Sequence, residues 1–146
     1  MASFLYYTTG PLGLRNNNPG NIRPLGRTNK WLGQVGKRKG FVIFSDVAYG
    51  IRAMVKNALT HITRYKHDTL RKYINAYAPP SENDTAKYIR EMAKGMGIDP
   101  DDKIEITYDN LKNMVRSHLI LEIGAQYSAM ISDDDIAKGI SLINQS

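Results

Sequence analysis

The chain has 146 residues, no cysteine, three histidines and a net charge of +6. That length suits one domain with a proper core, and the missing cysteine excludes disulfides and thiolate metal sites. No apolar run approaches the roughly 18 residues of a membrane span, and Met1-Ala2-Ser3-Phe4-Leu5-Tyr6-Tyr7 lacks the basic start and clean apolar core of a signal peptide.

Residues 10–46 read as loop and hairpin, because glycines and prolines punctuate short runs such as Asn21-Ile22-Arg23 and Gly40-Phe41-Val42-Ile43-Phe44. The first acidic residue is Asp46, and Arg15, Arg23, Arg27, Lys30, Lys37, Arg38 and Lys39 all precede it. Such a surface attracts anionic polymers: nucleic acid, lipid headgroups or a carboxylate-bearing glycan. Charge does not choose among these, and a plain solvated loop has the same composition. No recognition helix or aromatic-rich binding motif accompanies the charge, so no specific nucleic-acid partner is expected.

Ile51, Met54, Val55, Ala58, Leu59 and Ile62 follow helical spacing and predict one helix from about Val47 to Tyr65. Asp68 or Thr69 caps a shorter helix through Leu70, Tyr73, Ile74 and Tyr77, ended by Pro79 and Pro80. Ser81 to Asp84 starts another, through Tyr88, Met92 and Met96. Ile98-Asp99-Pro100-Asp101-Asp102 lacks calcium-loop ligand spacing and reads as a turn. Asp109 can cap a helix reaching Glu122, which Gly124 stops, and Ser132-Asp133-Asp134-Asp135 opens a last helix through Ile136, Ile140 and Ile143. The expected fold is one mainly α domain, of the α+β class, over 1–146, with a small N-terminal β-hairpin.

Glu122 sits in the apolar stretch Met114 to Gly124, on a helix face shared with positions 111, 114, 115, 118 and 119. Burial against apolar groups disfavours a carboxylate, which is how a general acid keeps its proton. The alternative is a helix-end glutamate that bends to solvent or pairs with Arg116. His118, one turn earlier, either contacts it or packs as a core histidine. No phosphate loop, dinucleotide motif, paired zinc histidines or nucleophile elbow is present, so no cofactor and no metal are expected.

The run Gly13-Leu14-Arg15-Asn16-Asn17-Asn18-Pro19-Gly20-Asn21-Ile22-Arg23, with Trp31-Leu32-Gly33, Phe41-Val42-Ile43-Phe44, Gly50-Ile51-Arg52-Ala53 and Tyr77-Ala78-Pro79-Pro80-Ser81-Glu82-Asn83-Asp84-Thr85 plus Tyr88, resembles phage and prophage proteins related to murein-degrading enzymes. More widely it resembles lysozyme-like lytic transglycosylases and glucosaminidases. In those enzymes a catalytic Glu-x-Gly comes first, then the hairpin, then a tyrosine near a Tyr-Ala-x-x-Pro turn. Here Glu122-Ile123-Gly124 comes after both, and no acid precedes the hairpin, which implies a circularly permuted lysozyme-like domain.

The resemblance implies a peptidoglycan-cleaving enzyme with Glu122 as general acid/base and Tyr77 steadying charge on the sugar. Asn17, Asn18, Asn21, Trp31, Glu82 and Asn83 are the implied substrate contacts, and Asp46, Asp84 and Glu82 the candidates for a second carboxylate. Each has an ordinary reading: turn asparagines, a core aromatic or a helix-start acid. The implied partners are glycan strands and other virion proteins. The implied location is the virion, or the host cytoplasm with delivery to the periplasm. The rival readings are a non-catalytic virion or wall-binding protein and a nucleic-acid binder.

Overall fold

Local capping and turn chemistry set most element boundaries in the computed structural model, which describes residues 2–81 and 83–145. One helical turn, α1 (Leu12–Arg15), stands inside the stretch expected to be loop. Strands β1 (Gln34–Arg38) and β2 (Phe41–Phe44) pair antiparallel, with Arg38 opposite Phe41 and a bulge between Gln34 and Gly36. Lys39 and Gly40, with φ of 52° and 82°, make the left-handed two-residue turn that suits strand twist. Val42 and Phe44 are fully buried and Phe41 and Ile43 half-buried, the alternation of a strand with one face on the core.

Helix α2 (Val47–Leu59) is capped by Asp46, whose Oδ1 accepts from Ala48 N at 2.9 Å. It is buried almost all round and continues as a π-helical turn over Thr60–Arg64. Thr69 caps α3 (Leu70–Tyr77), which stops ahead of Pro79 and Pro80. Asp84 caps α4 (Thr85–Met96). Thr107, not Asp109, caps α5 (Tyr108–Ile123); its hydroxyl accepts from Asn110 N, and Asp109 lies in the first turn where the helix dipole favours an acid. Gly124, at φ 87°, turns the chain into the short α6 (Ala125–Ser128). Ser132 and Asp135 form a reciprocal capping box at the start of α7 (Asp133–Ser141).

The described residues are thus mainly helical with one two-stranded antiparallel sheet. Two hydrophobic clusters flank α5. One joins the hairpin, α2 and α7 through Val42, Phe44, Ile51, Leu119 and Ile136, and the other joins α3, α4 and α5 through Leu70, Ile74, Ile89, Met92 and Met114. Gly95 lets α4 approach α5 closely, since a Cβ there would overlap the Ser117 hydroxyl. Among the described residues, no helix is long and apolar enough to cross a membrane.

Candidate functional site

Two pairs of side chains, each one helical turn apart, face one another across α3 and α5. Tyr73 and Tyr77 lie on α3, and His118 and Glu122 on α5. Tyr73 meets His118 and Tyr77 meets Glu122, both across 45 residues, so the two helices run in the same direction where they touch. Tyr77 Oη donates to Glu122 Oε1 at 2.9 Å, and Tyr73 Oη lies 2.8 Å from His118 Nε2. From α4, Tyr88 Oη donates to the same Glu122 Oε1 at 3.0 Å and lies 2.7 Å from His118 Nδ1.

Proton counting fixes the direction of these bonds. Burial pushes the His118 imidazole down to a pKa of about 3, so it is neutral and carries one N–H. Tyr88 has a single proton and gives it to Glu122, so Nδ1–H of His118 donates to Tyr88 Oη. His118 Nε2 is then the acceptor, and Tyr73 Oη donates to it. Burial first, with the Glu122 charge adding to it, raises the Tyr73 and Tyr88 hydroxyls far above the usual phenol range. Tyr77 is raised by burial, then by Tyr88 and Glu122. All three phenols therefore stay protonated donors, and a directed relay runs Tyr73 to His118 to Tyr88 to Glu122.

Glu122 itself is half-buried, in phenolic rather than aliphatic company. This replaces the expected apolar sheath and the Arg116 partner alike. Arg116 is held by the Ser128 and Ile131 carbonyls and by Asp133 at 3.0 Å. Among the described residues Glu122 Oε2 takes no hydrogen bond, which leaves one carboxylate oxygen for a ligand.

The other candidate residues divide sharply. Asn17 and Asn18 are fully buried and their amides are committed to backbone. Asn17 accepts from Phe4 N and donates to Phe44 O and Ser3 Oγ; Asn18 accepts from Ile22 N and donates to Ile22 O and Val42 O. They tie the N-terminus and the Ile22 segment to β2, so neither amide is left for a substrate. Asn21 holds a left-handed turn at φ 50° and is half-buried; a Cβ on Gly13 would press on both its Oδ1 and Ile123, which puts it by the end of α5.

Trp31 donates Nε1–H to Arg23 O at 3.0 Å and lines a cleft of about 490 Å³ with Arg52 and Asn57, outside the Glu122 hydrogen bonds. Asp46 and Asp84 act as helix caps, Asp84 accepting from Lys87 N at 3.2 Å, and neither joins the Glu122 network. Asn83 is exposed and donates to Pro79 O, while Glu82 lies outside the described residues.

His118 is the buried core histidine of the two readings and reaches Glu122 only through Tyr88, a residue of the resemblance motif, whereas Tyr73 is a member of the network that the sequence reading did not place in the site. The available signal for Tyr73 was spacing, since it precedes Tyr77 by one helical turn.

No family model matches the chain. It is similar to Protein P5 of Pseudoalteromonas phage PM2, with 34% identity over 95 residues covering 63% of this chain. The aligned region spans 59% of the length of that phage protein.

Proposed function

We propose that this protein cleaves the glycan strand of peptidoglycan, with Glu122 as the single general acid/base of a circularly permuted, lysozyme-like site. The observation that carries the reading is the Tyr77 Oη to Glu122 Oε1 hydrogen bond of 2.9 Å, which joins the tyrosine of the Tyr77-Ala78-Pro79-Pro80 turn to the glutamate of Glu122-Ile123-Gly124. Two phenols hold Oε1 and orient the carboxyl, and the free Oε2 carries the proton in flight. In the first step Oε2–H protonates the glycosidic oxygen as the C1–O bond breaks. In the second the carboxylate takes a proton from a hydroxyl of the same sugar as that oxygen bonds C1, giving an anhydro end; with water in its place the product is a reducing end.

Among the described residues no second carboxylate hydrogen-bonds within the Glu122 network, which favours the first outcome, because inverting and retaining hydrolases need one at about 6.5–9.5 Å or 5–5.5 Å. The similarity to a phage protein supports a phage association, and the glycan reading places the action in the virion or from the host cytoplasm. Incubation with murein sacculi tests the reading. Soluble muropeptides with anhydro ends are expected from the wild type and not from Glu122→Gln. Release by both proteins, or by neither across pH and salt, would overturn it. A second reading, a wall-binding virion protein without turnover, draws on the same lack of a second carboxylate in the network among the described residues. It predicts sedimentation with sacculi and no product.

A further inference from the structure

Charge is divided unevenly along the chain. Residues 1–66 hold eleven lysines and arginines against one acid, Asp46, whereas residues 67–146 hold nine against thirteen. Every ion pair among the described residues lies between Asp68 and Asp133, so no acid balances the cations of the first part. Four of those cations, Lys30, Arg52, Lys56 and Arg64, line the Trp31 cleft, a concave space of about 490 Å³ between the segment before β1 and α2 with its π turn. Arg52 and Lys56 in its wall are tied to the carbonyls of Leu142, Gln145 and Ile143, which fixes the C-terminal turn. Lys30 and Arg64 are exposed, carry no ion pair among the described residues, and stand beside Trp31 and Tyr65. Asn57 lines both this cleft and the small enclosed gap against Tyr73, Tyr77 and His118, so the cleft backs directly onto the tyrosines of the Glu122 site. Its side-chain amide has no partner among the described residues.

We propose that the cleft is an anion-binding extension of the Glu122 site. It takes the carboxylate-bearing peptide stems of the glycan, with Lys30 and Arg64 as the charge contacts and Asn57 as the amide contact nearest the reacting sugar. This rests on the glycan reading of Glu122. A carboxylated glycan matches the observations because it offers sugar faces to Trp31 and acids to the cations on one strand, and the concavity suits a narrow chain rather than a duplex.

Trp31 is the only tryptophan, so its fluorescence reports the cleft directly. Glu122→Gln protein, which binds without turnover, is titrated with glycan chains bearing intact stems, the same chains stripped of stems, and a single-stranded DNA oligonucleotide. Stem-bearing chains are expected to bind about fivefold more tightly than stripped ones, the scale of two exposed ion pairs. The preference should vanish in the added Lys30→Ala/Arg64→Ala background and shrink with salt. Equal affinity for the two glycans, a preference that survives the double substitution, or tighter binding of DNA would overturn the proposal. Wild-type turnover with no stem preference sinks the cleft alone; a stem preference without turnover leaves the cleft standing and sinks the catalytic reading.

Discussion

Tyr77 and Tyr88 donate to the same oxygen of Glu122 at nearly the same length, 2.9 and 3.0 Å, yet their removal should differ. Among the described residues the Tyr77 hydroxyl has one hydrogen-bond partner, and that partner is half-buried, so water can replace the lost bond. Tyr77→Phe is expected to cost about 0.5–1.5 kcal/mol. Tyr88 also accepts from His118 Nδ1 at 2.7 Å, and His118 is buried. Tyr88→Phe strands a polar nitrogen in the interior, which raises its expected cost to about 2–3 kcal/mol. The imidazole can soften this by moving its proton to Nε2 and donating to Tyr73 Oη. Urea denaturation measures the two costs, and ¹⁵N shifts report which nitrogen is protonated. Nδ1–H is expected in the wild type and Nε2–H in Tyr88→Phe. A Tyr77→Phe as costly as Tyr88→Phe, or a wild type already carrying Nε2–H, would refute the relay.

Three further outcomes follow from the same geometry. Unfolded His118 binds a proton below about pH 6.5, whereas the folded imidazole stays neutral to about 3. Its contribution to stability is therefore fully present above about 6.5 and falls toward pH 3 by about 1.4 kcal/mol per pH unit; urea midpoints across that range should flatten by one proton in His118→Gln, and an unchanged slope would exclude a neutral buried imidazole. Asp46→Ala should cost about 1 kcal/mol through loss of the α2 cap while leaving activity per folded molecule intact, and a selective loss of turnover would restore Asp46 as a second carboxylate. Gly95→Ala gains about 1 kcal/mol of helix propensity but overlaps Ser117, a clash of about 1–3 kcal/mol, so net destabilisation partly relieved by Ser117→Ala is expected in thermal melts.

The helices were legible because periodicity and caps are local. Thr69, Asp84 and Ser132 sit where a hydroxyl or carboxylate can reach the first free N–H groups, and Gly124 marks the end of α5. Thr107 rather than Asp109 caps α5 because both residues are competent and only the backbone decides. The one-turn α1 is too short to carry a period. The asparagines were ambiguous in kind: a buried amide clamping backbone and an exposed amide binding sugar have the same residue type and the same neighbours. The contact of Tyr77 with Glu122 was implied only by motif resemblance. One-turn spacing puts Tyr73 on the face of Tyr77 and His118 on that of Glu122, but which hydroxyl meets which ring nitrogen depends on how α3 and α4 lie against α5, which long-range packing sets.

Glu122→Gln gives the most direct test of the central claim, because the substitution keeps size and hydrogen-bonding capacity while removing the transferable proton. Muropeptide release from sacculi by the folded variant, its urea midpoint checked in parallel, is expected to fall by at least about 10²-fold, the lower end of what general acid–base catalysis contributes. Release at the wild-type rate by a folded Glu122→Gln protein would contradict Glu122 as the catalytic group.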